Sequence, residues 1–354
     1  MTGQCHPDID ALTRELGFSC HDAPPIVRVS NPFALANWTL PVLELVIVLG
    51  AAFALGWAVY RLRRDGDPVN LLLWFVPIGY LLIVEPPMYF PSVFGTEELL
   101  GAVFAHNVFT VQFLYDRLPL YIVALYPAIM TLAYEIVRGL GVFRDRGIVV
   151  GALCVGFVHH CCYEVFDQLG PGLRWWAWNY DNAINQPAPA AVPMSSVLFF
   201  AAVGPALTTL LVLLLVGRPG TRAPSRLVLR GLAAAILIPV GLVLTNIPIA
   251  LAGYVSTDGP WRVAVYVAYL ALFAAVGGAT LVHQWRRGRA LPPNPYVRVF
   301  GPLYLIALAA LWLAGRPADS GPAGSLPYAT VCFLIAAAAI AAVSLSPAES
   351  EVKP

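Results

Sequence analysis

The stretch Gly147–Asp167, GIVVGALCVGFVHHCCYEVFD, decides the fold. It is long enough to cross a bilayer, since about 20 helical residues cover a hydrocarbon core of roughly 30 Å. Its second half nevertheless carries His159, His160, Tyr163, Glu164 and Asp167. In a helix His160, Glu164 and Asp167 stand at i, i+4 and i+7 and share one face, with Gly156 a turn earlier on that stripe; His159 and Tyr163 form the neighbouring face. Each ionisable group inside a membrane helix costs a few kcal/mol unless it meets a partner or water, which makes these residues functional candidates. At 1.5 Å per residue from Gly147, His160 lies about 20 Å along the helix, past the middle of the core.

The remainder of the chain fits a membrane setting. Its 354 residues are 59% hydrophobic and 12% charged, with a mean hydropathy of +0.73, whereas soluble domains carry about 25% charged residues. The net charge is +1 and the cations are dispersed among short loops, which excludes nucleic acid as a partner. The first 38 residues are polar and rich in turn formers, without the apolar core of a secretory signal peptide. The first hydrophobic helix is therefore expected to act as the insertion signal and to remain in the protein.

Long apolar runs predict an all-α, polytopic bundle of nine spanning helices near 39–62, 70–91, 118–138, 147–167, 192–216, 227–254, 260–284, 298–315 and 327–345. Placing the N-terminus outside puts 15 of the 21 cations on the inner side and 6 on the outer side, as the positive-inside rule requires. The expected organisation is an extracytoplasmic tail (1–38), a transmembrane domain (39–345) and a cytoplasmic tail (346–354) in the cell membrane. The run Leu99–Tyr115, LLGAVFAHNVFTVQFLY, is long enough to compete as a tenth span. Spanning there would turn most arginines outward, so it is read as an outer re-entrant or interfacial helix that presents Glu97, Glu98, His106, Asn107 and Asp116.

In an oxidising exterior Cys5 and Cys20 are expected to close a short loop as a disulfide. A zinc knot from Cys5-His6 and Cys20-His21 is the chemical alternative, although the spacing matches no standard finger. Cys154, Cys161, Cys162 and Cys332 lie in helices and read as small core residues. Asn37-Trp38-Thr39 fits a glycosylation sequon, a short and weak match.

Other polar residues share the depth of the His160–Asp167 stripe. Glu85-Pro86-Pro87 lies near the outer end of the second helix, where consecutive prolines free backbone carbonyls. Glu135 reads as an ion-pair partner of Arg138. Ser195-Ser196 and Asn246 read as helix-to-helix hydrogen-bonding groups, with Asn246 also a candidate for substrate contact. The loop after the fourth helix holds Trp175, Trp176 and Trp178, then Asn179, Asp181, Asn182, Asn185, Gln186 and a run of prolines. Such tryptophans could form an interfacial belt; a polar, rigid segment above a cavity also suits a lid, with aromatic faces able to hold a cation.

Three chemistries fit these groups. In the first, Glu164 or Glu85 is a buried acid, His160 its proton partner and Asp167 or Asp181 an orienting group, acting on an alkene-like lipid. His106, His159, Tyr163, Trp175, Trp176, Trp178, Asp181 and Asn246 would contact the apolar small-molecule substrate, and no cofactor is required. The second is a metal site drawn from His160, Glu164, Glu85 and His106, since mixed imidazole and carboxylate sets suit zinc or iron. The third is a transporter or a lipid- or pigment-binding protein, although paired inverted halves are not evident. Phosphate-loop, nucleophile-elbow, dinucleotide and DDxxD motifs are absent from the sequence.

The pattern Glu135-x3-Gly139-x-Gly141-Val142-Phe143-x3-Gly147, an aromatic stretch, and then Val192-Pro193-Met194-Ser195-Ser196-Val197-Leu198-Phe199-Phe200 resembles polytopic carotenoid hydratases and related membrane isoprenoid cyclases. The resemblance covers about residues 130–205. It implies an isoprenoid or other long apolar substrate and assigns no catalytic residue, because His159-His160 and Glu85-Pro86-Pro87 stand outside the pattern.

Overall fold

A computed structural model describes residues 5–216, 223–255, 260–288, 291, 294–315 and 322–345. The expected tail at 346–354 lies outside the described residues, as do Arg218, Arg222, Arg289, Arg316 and Lys353 of the charge distribution. Among the described residues nine helices are long and apolar enough to cross a membrane. They are α2 (Thr39–Asp65), α3 (Val69–Tyr89), α5 (Leu120–Gly139), α6 (Val142–Asp167), α7 (Ser196–Val216), α8 (Pro224–Val255), α9 (Pro260–Arg287), α10 (Pro295–Ala314) and α11 (Leu326–Ser344). All nine correspond to the runs read from the sequence. The α6 helix starts earlier than expected because the turn from Val142 joins it across a break at Gly147, whose φ of 78° suits a residue without Cβ.

The centre of the bundle is α5 and α6. In α5, 83% of the most apolar stretch is buried, against 17% in α8, so the two helices face different surroundings. The α5 helix packs on α2, α3, α6 and α10, and α6 on α5, α7, α9 and α11. The outer surface of α8 exposes Leu229, Leu232, Ile236, Val240, Val243, Leu244 and Leu251. An apolar surface this continuous is compatible with a lipid environment. Asn246 also lies on that exposed side of α8.

The N-terminal segment and the loops after α3 and α6 form a cap over one end of the bundle. It contains α1 (Pro7–Leu16), β1 (Val27–Val29), the short α4 (Pro91–Phe94), β2 (Phe104–His106), β3 (Val111–Phe113), β4 (Leu118–Pro119) and β5 (Trp176–Trp178). One sheet has the order β1-β3-β4, and β2 pairs antiparallel with β5, setting Phe104 opposite Trp178 and His106 opposite Trp176.

This arrangement corrects the reading of Leu99–Tyr115 as an interfacial helix. The segment does not span, but it folds as strands. Phe109, Val111 and Phe113 alternate with Thr110 and Gln112, a period of two that favours a pleated strand. Its helical continuation is broken by Leu114, Tyr115 and Asp116, which take φ of 54°, 54° and 58°.

Long-range polar contacts tie cap to bundle. The Glu44 carboxylate of α2 accepts hydrogen bonds from the backbone N–H of Thr110 (2.9 Å) and Val111 (3.2 Å). Arg28 Nε donates to Asp116 Oδ2 at 2.8 Å, joining β1 to the end of β3. Burial raises the Asp116 carboxyl above its ordinary range, opposed by the Arg28 and Arg117 charges. The expected Cys5–Cys20 disulfide is present. The sequon asparagine is engaged, with Asn37 Nδ2 donating to Leu173 O at 3.1 Å. At the opposite end Arg138 donates to Glu135 through Nε at 3.0 Å and Nη2 at 2.7 Å, as expected from their spacing. Asn70 and Asn294 also donate to Glu135, so this pair fastens α3 and the start of α10 to α5.

Candidate functional site beneath the cap

Beneath the cap is a cavity of about 30 Å³ lined by Glu85, Phe104, His106, Tyr126, Tyr163, Phe166, Asp167, Trp176, Trp178 and Phe200, with Ile122 and Leu125. A second cavity of about 10 Å³ continues into the bundle, shares Leu125, Tyr126, Tyr163 and Phe200 with the first, and reaches Tyr80, His159 and Thr208. The walls of the first cavity come from α3, α5, α6 and α7, and its roof from β2 and β5.

Glu85 is buried near the end of α3 and accepts hydrogen bonds at both oxygens, from Tyr89 on its own helix and from Tyr126 of α5 at 2.9 Å. Asp167 is buried at the end of α6, where Ser196 Oγ donates to its Oδ2 at 2.7 Å. This Ser196 contact bears out the expected helix-to-helix role. Tyr126 and Tyr163 stand between the two cavities, and Tyr163 stacks on His159 with ring centres 5.7 Å apart.

The roof is aromatic because β2 and β5 carry Phe104, His106, Trp176 and Trp178 in register. Phe104 meets Trp178 edge-on at 5.3 Å and His106 at 5.2 Å, while Trp176 lies 5.0 Å from Phe166. A Cβ at Gly170 would fall 2.0 Å from the Trp176 ring, so only glycine lets the loop pass beneath that indole. The indole N–H groups of Trp176 and Trp178 are buried without a protein hydrogen-bond partner among the described residues. They are donors available to a polar group in the pocket.

His106 lies outside the spans, and its Nδ1 is 3.2 Å from the Tyr121 hydroxyl. Burial alone lowers its pKa to about 3, so the imidazole is neutral at physiological pH. The sign of the coupling to stability follows. Above about 6.5 the ring is neutral both folded and unfolded; between 6.5 and about 3 the unfolded ring binds a proton that the folded one refuses. Folded stability should fall on acidification by up to about 1.4 kcal/mol per pH unit in that window. Thermal unfolding of wild type and His106→Asn checks this, and the wild type should lose more stability on acidification.

The sequence-read residues divide sharply. Glu85, His106, Tyr163, Asp167, Trp176 and Trp178 meet at the first cavity, and His159 lines the second. His160 and Glu164 do not join them. The ring Nδ1 of His160 donates to Val197 O at 3.1 Å, and its Nε2 accepts from the Tyr328 hydroxyl of α11 at 2.6 Å. Glu164 accepts from Gln168 Nε2 at 2.9 Å, its other oxygen being buried without a partner among the described residues. The metal set of His160, Glu164, Glu85 and His106 is therefore split between two sides of α6.

Trp175 is a packing residue: it is fully buried and donates to Thr39 Oγ1 at 2.8 Å. Asp181 is exposed, and Asn246 faces away from the cavities on α8. The asparagines of the loop are cap fasteners, since Asn179 and Asn185 donate to the carbonyls of Ala102 and Val103. His159 Nδ1 likewise donates to Ala201 O at 2.8 Å, and both histidines thereby meet carbonyls of the π-helical first turns of α7, Ser196–Val203.

Sequence reasoning missed Tyr126, Phe104, Tyr89 and Phe200. Tyr89 carried a usable signal, lying four residues after Glu85. The others come from separate elements, with no local spacing to betray them.

No protein-family model matches the chain, and neither a curated protein nor a solved structure matches it.

Proposed function

We propose that the chain is a membrane-embedded enzyme that protonates an alkene-like group at one end of an isoprenoid lipid, only that end reaching the pocket beneath the cap. The observation that carries this reading is the opening of Glu85 and Asp167 into one cavity walled by aromatic rings. In its acid form Glu85 delivers a proton to one alkene carbon, forming a C–H bond while positive charge develops on the other carbon. The faces of Tyr163, Phe166, Trp176 and Trp178 stabilise that cation. Loss of a proton to Asp167 completes an isomerisation or cyclisation; capture by water, with the surplus proton of the oxonium passing to Asp167, completes a hydration. Tyr89 and Tyr126 are placed to return a proton to Glu85. The resemblance of residues 130–205 to carotenoid hydratases and isoprenoid cyclases supports the substrate class. The cap faces the exterior of the cell membrane, a reading supported by the arginines gathered at the opposite end of α2, α5 and α9.

Mass spectrometry of lipid extracts from membranes with and without the protein tests the reading. The expected result is a lipid isomeric with, or one water heavier than, a host isoprenoid, present only with the protein. Identical isoprenoid profiles would contradict it.

The cavity volumes of about 30 and 10 Å³ favour a second reading. They suit water-sized cargo, such as a proton or small cation passed between Glu85 and Asp167, and a transporter would then be the function. Flux into proteoliposomes without any change in lipid composition would select it.

A further inference from the structure

We propose that Cys5, Asp10, Cys20 and His21 form a site for one zinc-class divalent cation when the Cys5–Cys20 bond is reduced. One ligand atom from each of these residues lies within 4.8 Å of the others. Asp10 Oδ1 is the hub, 3.9 Å from Cys5 Sγ, 3.8 Å from Cys20 Sγ and 3.5 Å from His21 Nε2. Tetrahedral zinc, with bonds of about 2.0–2.3 Å, sets its ligand atoms roughly 3.3–3.8 Å apart, so the carboxylate and imidazole already stand at coordination spacing. The Cα atoms of the two cysteines are 5.8 Å apart, a separation that two thiolates on one ion also accommodate.

The site differs from a knot of two Cys-His pairs. His6 is held elsewhere, its Nε2 2.8 Å from Glu97 Oε1, and Asp10 takes its place. Arg14 Nη2 lies 2.6 Å from Asp10 Oδ2, which leaves Oδ1 for the ion and offsets the surplus negative charge of two thiolates and a carboxylate around a dication.

The chemistry balances with a dithiol as reductant. The S–S bond takes two electrons and two protons from the dithiol, which becomes a disulfide, and the cation then displaces both protons from the new thiols. Disulfide and metal ion are alternative closures of the same loop. Either one holds α1 on the roof, because Ile9 and Cys20 pack on Ala102 beside β2, and Leu12 and Leu16 pack on Ala105 and Ala177. This inference is independent of the proposed reaction.

The test is titration of Co²⁺, then Zn²⁺, into purified full-length protein reduced with a phosphine under anaerobic conditions. One equivalent of cobalt should give thiolate charge-transfer absorption that zinc abolishes. Oxidised protein and the Cys5→Ser/Cys20→Ser variant should give none, which separates the site from Cys154, Cys161, Cys162 and Cys332. Asp10→Asn and His21→Ala should each weaken zinc binding at least about tenfold, while thiol titration still finds a Cys5–Cys20 disulfide before reduction. Failure of the reduced protein to bind cobalt stoichiometrically, or unchanged zinc affinity in both variants, would overturn the site.

Discussion

Glu85→Gln is expected to reduce product formation by about 10²-fold or more while leaving the protein folded. General acid–base groups contribute typically 10²–10⁴-fold to a rate. Glutamine keeps the shape of glutamate and a carbonyl that can still accept a tyrosine hydroxyl, but it cannot donate an acidic proton. The substitution therefore removes proton transfer with little disturbance of the wall formed by Tyr89 and Tyr126. Glu164→Gln supplies the contrast. Glu164 is equally buried and four residues from His160, yet its hydrogen bond goes to Gln168 and it does not line the cavity. That variant should turn over near the wild-type rate, and equal losses in both variants would show that the pocket assignment is mistaken. The measurement is product yield per folded protein, with folding judged by gel filtration and thermal unfolding.

The largest expected loss of stability follows from Trp175→Ala. The Trp175 ring is fully buried and stacks on Phe166 at 5.7 Å. Its indole N–H donates to Thr39 at the first residue of α2, and its carbonyl accepts from the Asn107 N–H at 2.9 Å. Truncating a buried aromatic ring to alanine costs about 3–5 kcal/mol, and here the Thr39 hydrogen bond is lost as well. Trp178→Phe, by contrast, keeps an aromatic ring in place, trims part of the indole and breaks no protein hydrogen bond among the described residues. Thermal unfolding in detergent should therefore show a large fall in midpoint for Trp175→Ala and a small one for Trp178→Phe. A similar midpoint for both would mean that Trp175 does not fasten the cap to α2.

Much of the fold was legible because a helix able to cross a bilayer needs a minimum apolar length. The nine apolar runs needed only that length, and Arg138 three residues after Glu135 needed only helical spacing. The cap was harder. Leu99–Tyr115 is apolar enough to pass for an interfacial helix, and its strand character lay in the alternation around Thr110 and Gln112. The strand partners are remote, with Phe104 opposite Trp178 across two intervening helices, α5 and α6.

The site was half legible for a geometric reason. At about 100° per residue, and measured from His160, Glu164 lies near +40° around α6 and Asp167 near −20°. Tyr163, His159 and Phe166 fall near −60°, −100° and −120° on the same scale. The cavities face this second group, with Asp167 at its edge, while His160 faces Tyr328 of α11. The periodicity correctly grouped His160, Glu164 and Asp167. It could not say which side of a helix packed all round, against α5, α7, α9 and α11, opens into a cavity.

Turnover in deuterium oxide tests the central claim most directly. Membranes containing the protein are incubated with host isoprenoid lipids in D₂O, and the product is analysed by mass spectrometry after back-exchange of labile hydrogens. Protonation of carbon by Glu85 predicts one carbon-bound deuterium in the product made by wild type, and little or no labelled product from Glu85→Gln. An active wild type whose product carries no carbon-bound deuterium would contradict it.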